Sequence, residues 1–151
     1  MDKILFEIDN LLKEKDYKII QEKIVILYFN LGKYIYNNKC NIYQIEDILR
    51  KKYGLLIGFT RRNLMNMSKF YSIYKNYDIN ILKLISWDNH LIIMKQQNKD
   101  ELLNYCLKYS IDKNNLRKII KNGFDIKYTK NTILNDDIVT LEIIKYISSI
   151  N

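Results

Sequence analysis

The stretch GFTRRNLMNMSKFYSIY, residues 58–74, decides the fold. Leu64, Met67, Tyr71 and Tyr74 recur at the three- and four-residue spacing of one helical face, while Arg62, Asn66 and Lys69 fall on another. Thr60 stands where an N-cap is needed, its hydroxyl placed to accept the orphan N–H of residue 62 or 63. The segment is therefore a two-sided helix that follows a Gly-Phe-Thr turn, with two adjacent arginines in its first turn.

Working outward, the same periodicity recurs along most of the chain. Residues 3–13 place Ile4, Leu5, Ile8, Leu11 and Leu12 on one face, and a longer pattern runs from about Tyr17 to Asn38 through Ile20, Ile24, Leu27, Leu31 and Ile35. NIYQIEDILRKKYG is another amphipathic helix, with Gly54 as its C-terminal stop. INILKLISW and DNHLIIMKQQ read as two short helices or one bent one. NKDELLNYCLKYS and SIDKNNLRKIIKNGF follow, the latter capped by Ser110 or Asp112 and stopped at Gly123. FDIKYT alone has a passable strand alternation, and a last helix is predicted at about 136–147. No proline and only four glycines interrupt 151 residues that are 48% hydrophobic. The expectation is one all-α domain over residues 1–151, a compact multi-helix unit containing a helix-turn-helix-like element.

The net charge of +8 directs attention to polyanionic partners: nucleic acid, an acidic protein or an anionic membrane. Abundant Ile, Asn, Lys and Tyr are what AT-rich coding produces, which inflates lysine everywhere and must be discounted. It does not account for arginine, or for local concentration. Between Asp47 and Asp78 there is no acid, yet Arg50, Lys51, Lys52, Arg61, Arg62, Lys69 and Lys75 all fall there. Arginine's planar fork meets guanine or phosphate with two hydrogen bonds, which lysine cannot do, and an asparagine can read adenine. Cations at a helix N-terminus oppose the helix dipole, so the Arg61–Arg62 pair is mildly costly unless an anion satisfies it. Arg61, Arg62 and Asn63 are the expected principal DNA contacts, with Lys51, Lys52, Asn66 and Lys69 positioning the backbone. A second acid-free cluster, Lys113, Arg117, Lys118 and Lys121, is either a supplementary phosphate contact or a solvated face.

Gly58, Phe59, Thr60, Arg61, Arg62, Asn63, Leu64, Met67, Phe70 and Tyr71 occupy the places of a motif found in the N-terminal helical domain of YhcG-like proteins, which this chain resembles. Leu27, Tyr28, Phe29, Gly32 and Ile35 are similar to that family's Leu-Tyr-Trp-x-x-Gly-x-x-Ile, and Leu116, Arg117 and Ile120 to its closing Leu-Arg-x-x-Ile. The likeness covers about residues 17–123. It departs at SWDNH, where the family's His, two places after the Trp, is replaced by Asn89 and His90 follows one place later. The resemblance implies an all-helical DNA-binding domain of the kind that usually precedes a PD-(D/E)XK nuclease domain.

Other chemistries find little in the sequence. Asp-x-Lys occurs as Asp16-Tyr17-Lys18 and Asp125-Ile126-Lys127, about as often as this composition supplies by chance. His90 is the only histidine, and it reads as a surface or core residue. Cys40 and Cys106 are far apart, each in a helix-like segment, which suits reduced thiols in a cytoplasmic protein. Trp87 reads as core. No catalytic residue, metal or cofactor is expected, and no signal peptide, anchor or membrane partner. The expected protein is a non-enzymatic DNA-binding domain, alone, as a homodimer, or as the targeting part of a nuclease system acting in trans. The rival is a stand-alone interaction module, such as a phage or mobile-element inhibitor of a host defence complex that processes nucleic acid.

Overall fold

The longest apolar pattern becomes the longest helix. In the computed structural model, which describes residues 1–54 and 57–123, Tyr17–Asn38 forms α2, preceded by α1 (Asp2–Lys13) and followed by α3 (Ile42–Tyr53). A 3-10 turn at Ile57–Phe59 leads into α4 (Arg61–Tyr74), and then come the short α5 (Ile79–Leu82) and α6 (Trp87–Ile93), α7 (Lys99–Lys108) and α8 (Lys113–Asn122). The described residues contain no strand, so the fold is all-α. The strand-like FDIKYT and the helix predicted at 136–147 lie outside the described residues.

Local chemistry sets the boundaries. Asp16, Asn41, Thr60, Asp78, Ser86 and Asp112 each cap a helix through a side-chain oxygen. Ser86 is what divides the 79–96 region into two helices, because its cap starts a new one at Trp87. Gly54 ends α3 at φ 74°, where a side chain would be strained. Cys40 does not lie in a helix. It follows the left-handed Lys39 that closes α2, and its thiol reaches the Tyr34 carbonyl at 3.8 Å.

The core forms where α2 and α4 pack, the most extensive helix pairing among the described residues. Tyr28 and Leu31 from α2 meet Leu64, Met67, Phe70 and Tyr74 from α4, all fully buried. Trp87 stands edge-on to both Tyr28 and Phe70, with ring centroids 5.0 and 5.2 Å apart.

His90 is part of this core. Its Nε2 lies 2.7 Å from the Leu82 carbonyl, which can only accept, so Nε2 carries the proton and Nδ1 is bare, buried and without a hydrogen-bond partner. Phe70 and Tyr74 flank the ring. Burial pushes its pKa down to about 4, against the opposing effect of the Leu82 hydrogen bond, which favours the charged form. A depressed folded-state value means that the unfolded chain binds the extra proton first. Stability is thus fully present above the unfolded pKa of about 6.5 and is lost as pH falls towards the folded value, at up to about 1.4 kcal/mol per pH unit. Urea midpoints should fall between pH 6.5 and 5, above the range where carboxylates protonate. His90→Gln, which can still donate to Leu82, should flatten that slope, and an unchanged slope would show that His90 is not buried as a neutral ring.

Candidate nucleic-acid interface

The start of α4 is assembled around Asn63. The Thr60 hydroxyl accepts from the Asn63 backbone N–H at 3.3 Å, as the cap pattern requires. The Asn63 side chain, expected to read adenine, instead turns inward and is only 8% exposed. Its Nδ2 donates to the Gly58 carbonyl at 2.7 Å, and its Oδ1 accepts from Trp87 Nε1 at 2.9 Å. Both ends of the amide are committed, so Asn63 leaves the set of contact residues. It ties the turn before α4 to the first residue of α6.

The two arginines have different surroundings. Arg61 donates its backbone N–H to Glu46 Oε2 at 2.8 Å, and its Nε forms an ion pair with Glu46 Oε1 at 3.4 Å. Arg50 reaches the same Oε1 at 3.5 Å. The Arg61 guanidinium also lies 4.7 Å from the centre of the Tyr43 ring. Arg61 is thus pinned on two sides and does not present the free fork expected of it. Lys51 pairs with Asp47 at 2.9 Å and Lys52 with Asp9 at 3.3 Å. A stretch without acids in sequence is not one without acids in space: Glu46 and Asp47 stand one turn before Arg50 and Lys51, and Asp9 comes from α1. The pairs of Lys51 and Lys52 are solvent-exposed and weak, so a stronger anion can displace them, but these two lysines are not idle positive charge.

Arg62 has no such partner. Arg62, Asn66 and Lys69 line one side of a groove of about 300 Å³, and Leu91, Met94 and Lys95 line the other. Thr60 and Asn63 complete the lining, and no carboxylate belongs to it. Arg62, Lys69 and Lys95 are exposed and make no ion pair among the described residues. Three like charges around one hollow repel one another, and a bound anion reverses the sign of that interaction.

A second groove of about 510 Å³ shares Leu91 and Lys95 with the first and continues past Ile92 to Gln96, Lys113 and Arg117 on the α8 side, with one carboxylate, Asp88, in its lining. The two basic clusters of the sequence therefore meet through Lys95, which sequence reading missed. Within the second cluster the members separate: Lys113 is largely buried and bonded to Asp88 at 3.5 Å, Arg117 is exposed, and Lys118 and Lys121 are exposed but line neither groove. Among the described residues no group of three His, Cys, Asp or Glu side chains is arranged to hold a metal ion. Burial raises the Cys106 thiol to about 12, which keeps it unreactive near neutral pH. No helix among the described residues is long and apolar enough to cross a membrane.

Fold and surface together define an all-helical domain with a cationic, acid-free groove between α4 and α6. The family model described as the DUF1016 N-terminal domain matches residues 7–129, and the chain belongs to that family, in agreement with the YhcG-like resemblance of its central motif. No curated protein and no solved structure matches it significantly.

Proposed function

We propose that this chain is a non-catalytic DNA-binding domain that holds the sugar-phosphate backbone in the α4–α6 groove. The observation that carries the proposal is the trio of unpaired cations, Arg62, Lys69 and Lys95, around a groove that no carboxylate lines. Apolar Leu91 and Met94 in its wall lower the local dielectric and strengthen attraction for a phosphate. Asn66 is the one uncommitted amide in the lining and takes over the base-reading part first expected of Asn63. Arg117 extends the track towards α8. In this reading α3, the turn and α4 serve as the helix-turn-helix-like element, and the YhcG-like resemblance supports a targeting role beside a nuclease.

The test is a salt-dependent titration of labelled DNA. Replacing Arg62, Lys69 and Lys95 together with alanine should weaken binding at least tenfold near physiological salt and make the slope of log affinity against log salt shallower by about 2.7 on a duplex or about 2.1 on a single strand, at about 0.9 or about 0.7 per lost phosphate contact. Replacing Lys51 and Lys52, already paired, should have a smaller effect. Absence of DNA binding by the wild-type chain at low salt refutes the proposal. In that case a discrete protein retained from nuclease-treated lysate would favour the interaction-module class.

A further inference from the structure

We infer that Tyr43 and Arg61 form a stacking platform for an unpaired nucleobase, so that the nucleic acid held by this domain is single-stranded where it passes the start of α4. This rests on the reading of the neighbouring groove as a phosphate site and names the substrate class of that site.

Tyr43 lies in the first turn of α3 and is 65% exposed even with the Arg61 guanidinium stacked 4.7 Å from its ring centre. The cation stands over one face of the ring, and the residue stays largely exposed with it in place. The Arg61 side chain is itself 52% exposed. An exposed tyrosine is ordinary, but one whose stacked partner is independently fixed is a prepared surface. Glu46, whose side chain is only 13% exposed, accepts from the Arg61 backbone N–H and pairs with its Nε at 3.4 Å, which keeps the guanidinium beside the Tyr43 ring. A planar cation laid against an aromatic ring offers flat, polarisable surface to a third planar group.

A base inside a duplex has both faces covered by its neighbours and shows a protein only its edges. A platform that offers a face therefore recognises a base that has left its stack, in a single strand, a loop or a frayed end. Arg62, which lines the cationic groove, directly follows Arg61, so the stacking pair and the phosphate groove are both anchored in the first turn of α4. The chemistry shared by DNA and RNA is an unpaired base beside a phosphate, and separate probes distinguish the two sources.

The experiment measures anisotropy of the full chain with end-labelled probes of one length: single-stranded DNA, single-stranded RNA, a blunt DNA duplex, and an abasic strand with phosphates but no bases. For the wild-type chain the single strands should bind more tightly than the abasic strand by about tenfold, the effect of one stacked base. Tyr43→Ala should weaken single-strand binding by a similar factor, leave duplex and abasic binding unchanged, and erase the preference for bases. Tyr43→Phe, which keeps the ring, should restore it. Both substitutions lie on an exposed residue, and unchanged thermal melts would show that the fold is intact. Equal losses on all four probes, or no loss on the single strands, would overturn the inference. Loss of all binding in the Arg62, Lys69 and Lys95 variant, with Tyr43→Ala indistinguishable from wild type, would leave the phosphate groove standing and remove the platform alone.

Discussion

Replacing Gly32 with alanine is expected to destabilise the domain by about 3 kcal/mol or more, read as a fall in the urea midpoint at unchanged slope. Helix propensity alone makes the opposite prediction, because an interior glycine costs about 1 kcal/mol relative to alanine. Packing decides the sign. A Cβ at position 32 would lie 2.0 Å from the Met67 carbonyl oxygen and 2.5 Å from its carbon. Those are backbone atoms of α4, not the end of a side chain that can swing away. To admit the methyl group α4 must retreat from α2, and the buried contacts of Leu64, Met67 and Phe70 loosen with it. The same shift moves Arg62 and Lys69 relative to Lys95, so on the proposed reading of the groove the variant should also bind DNA less well under conditions where it remains folded. A Gly32→Ala protein as stable as wild type, or more stable, would show that the two helices do not approach this closely.

Gly32 also shows where sequence reading reaches its limit. Periodicity identifies α2 and α4 as amphipathic because each helix's own residues carry that information, and Thr60 is legible as a cap because its partner lies three residues away. Arg62, Asn66 and Lys69 share a groove wall for the same reason: they lie on one face of a single helix. What one helix does to another is not written locally. Lys95 closes the groove from 26 positions beyond Lys69, and nothing in DNHLIIMKQQ marks it as the complement of that face. Glu46 reaches Arg61 across 15 positions, and so an acid-free window in the sequence became a neutralised corner in space. Residue type alone suggests an outward amide at Asn63, and the structure places it inward. Positions 63, 67, 70 and 74 form one continuous buried stripe on α4, and that spacing was the signal that its amide points inward.

Asn63 makes the second large prediction, because its two possible roles give opposite results. As a base reader it could be replaced with a loss of DNA affinity and no loss of stability. As the buried bridge seen in the structure it leaves two orphans on removal: the Gly58 carbonyl and the indole N–H of Trp87. Each unsatisfied buried group costs about 1–3 kcal/mol, so Asn63→Ala should lose about 2–6 kcal/mol, a large share of the stability of a domain this size. Trp87 is the only tryptophan, so its fluorescence reports the broken bond directly. Asn63→Asp sharpens the test. The carboxylate can still accept from Trp87, but it turns a second acceptor towards the Gly58 carbonyl and buries a charge. Both effects raise the pKa of the new group in the folded state above its unfolded value. The variant's stability is then greatest below the unfolded carboxyl pKa, where a protonated acid can donate to Gly58, and falls as pH rises through the raised value. That trend runs against the wild-type loss at acid pH caused by His90, and at pH 7 the variant should be at least as unstable as Asn63→Ala. A stable Asn63→Ala protein with unchanged tryptophan emission and weakened DNA binding would return Asn63 to the surface and make it a reader.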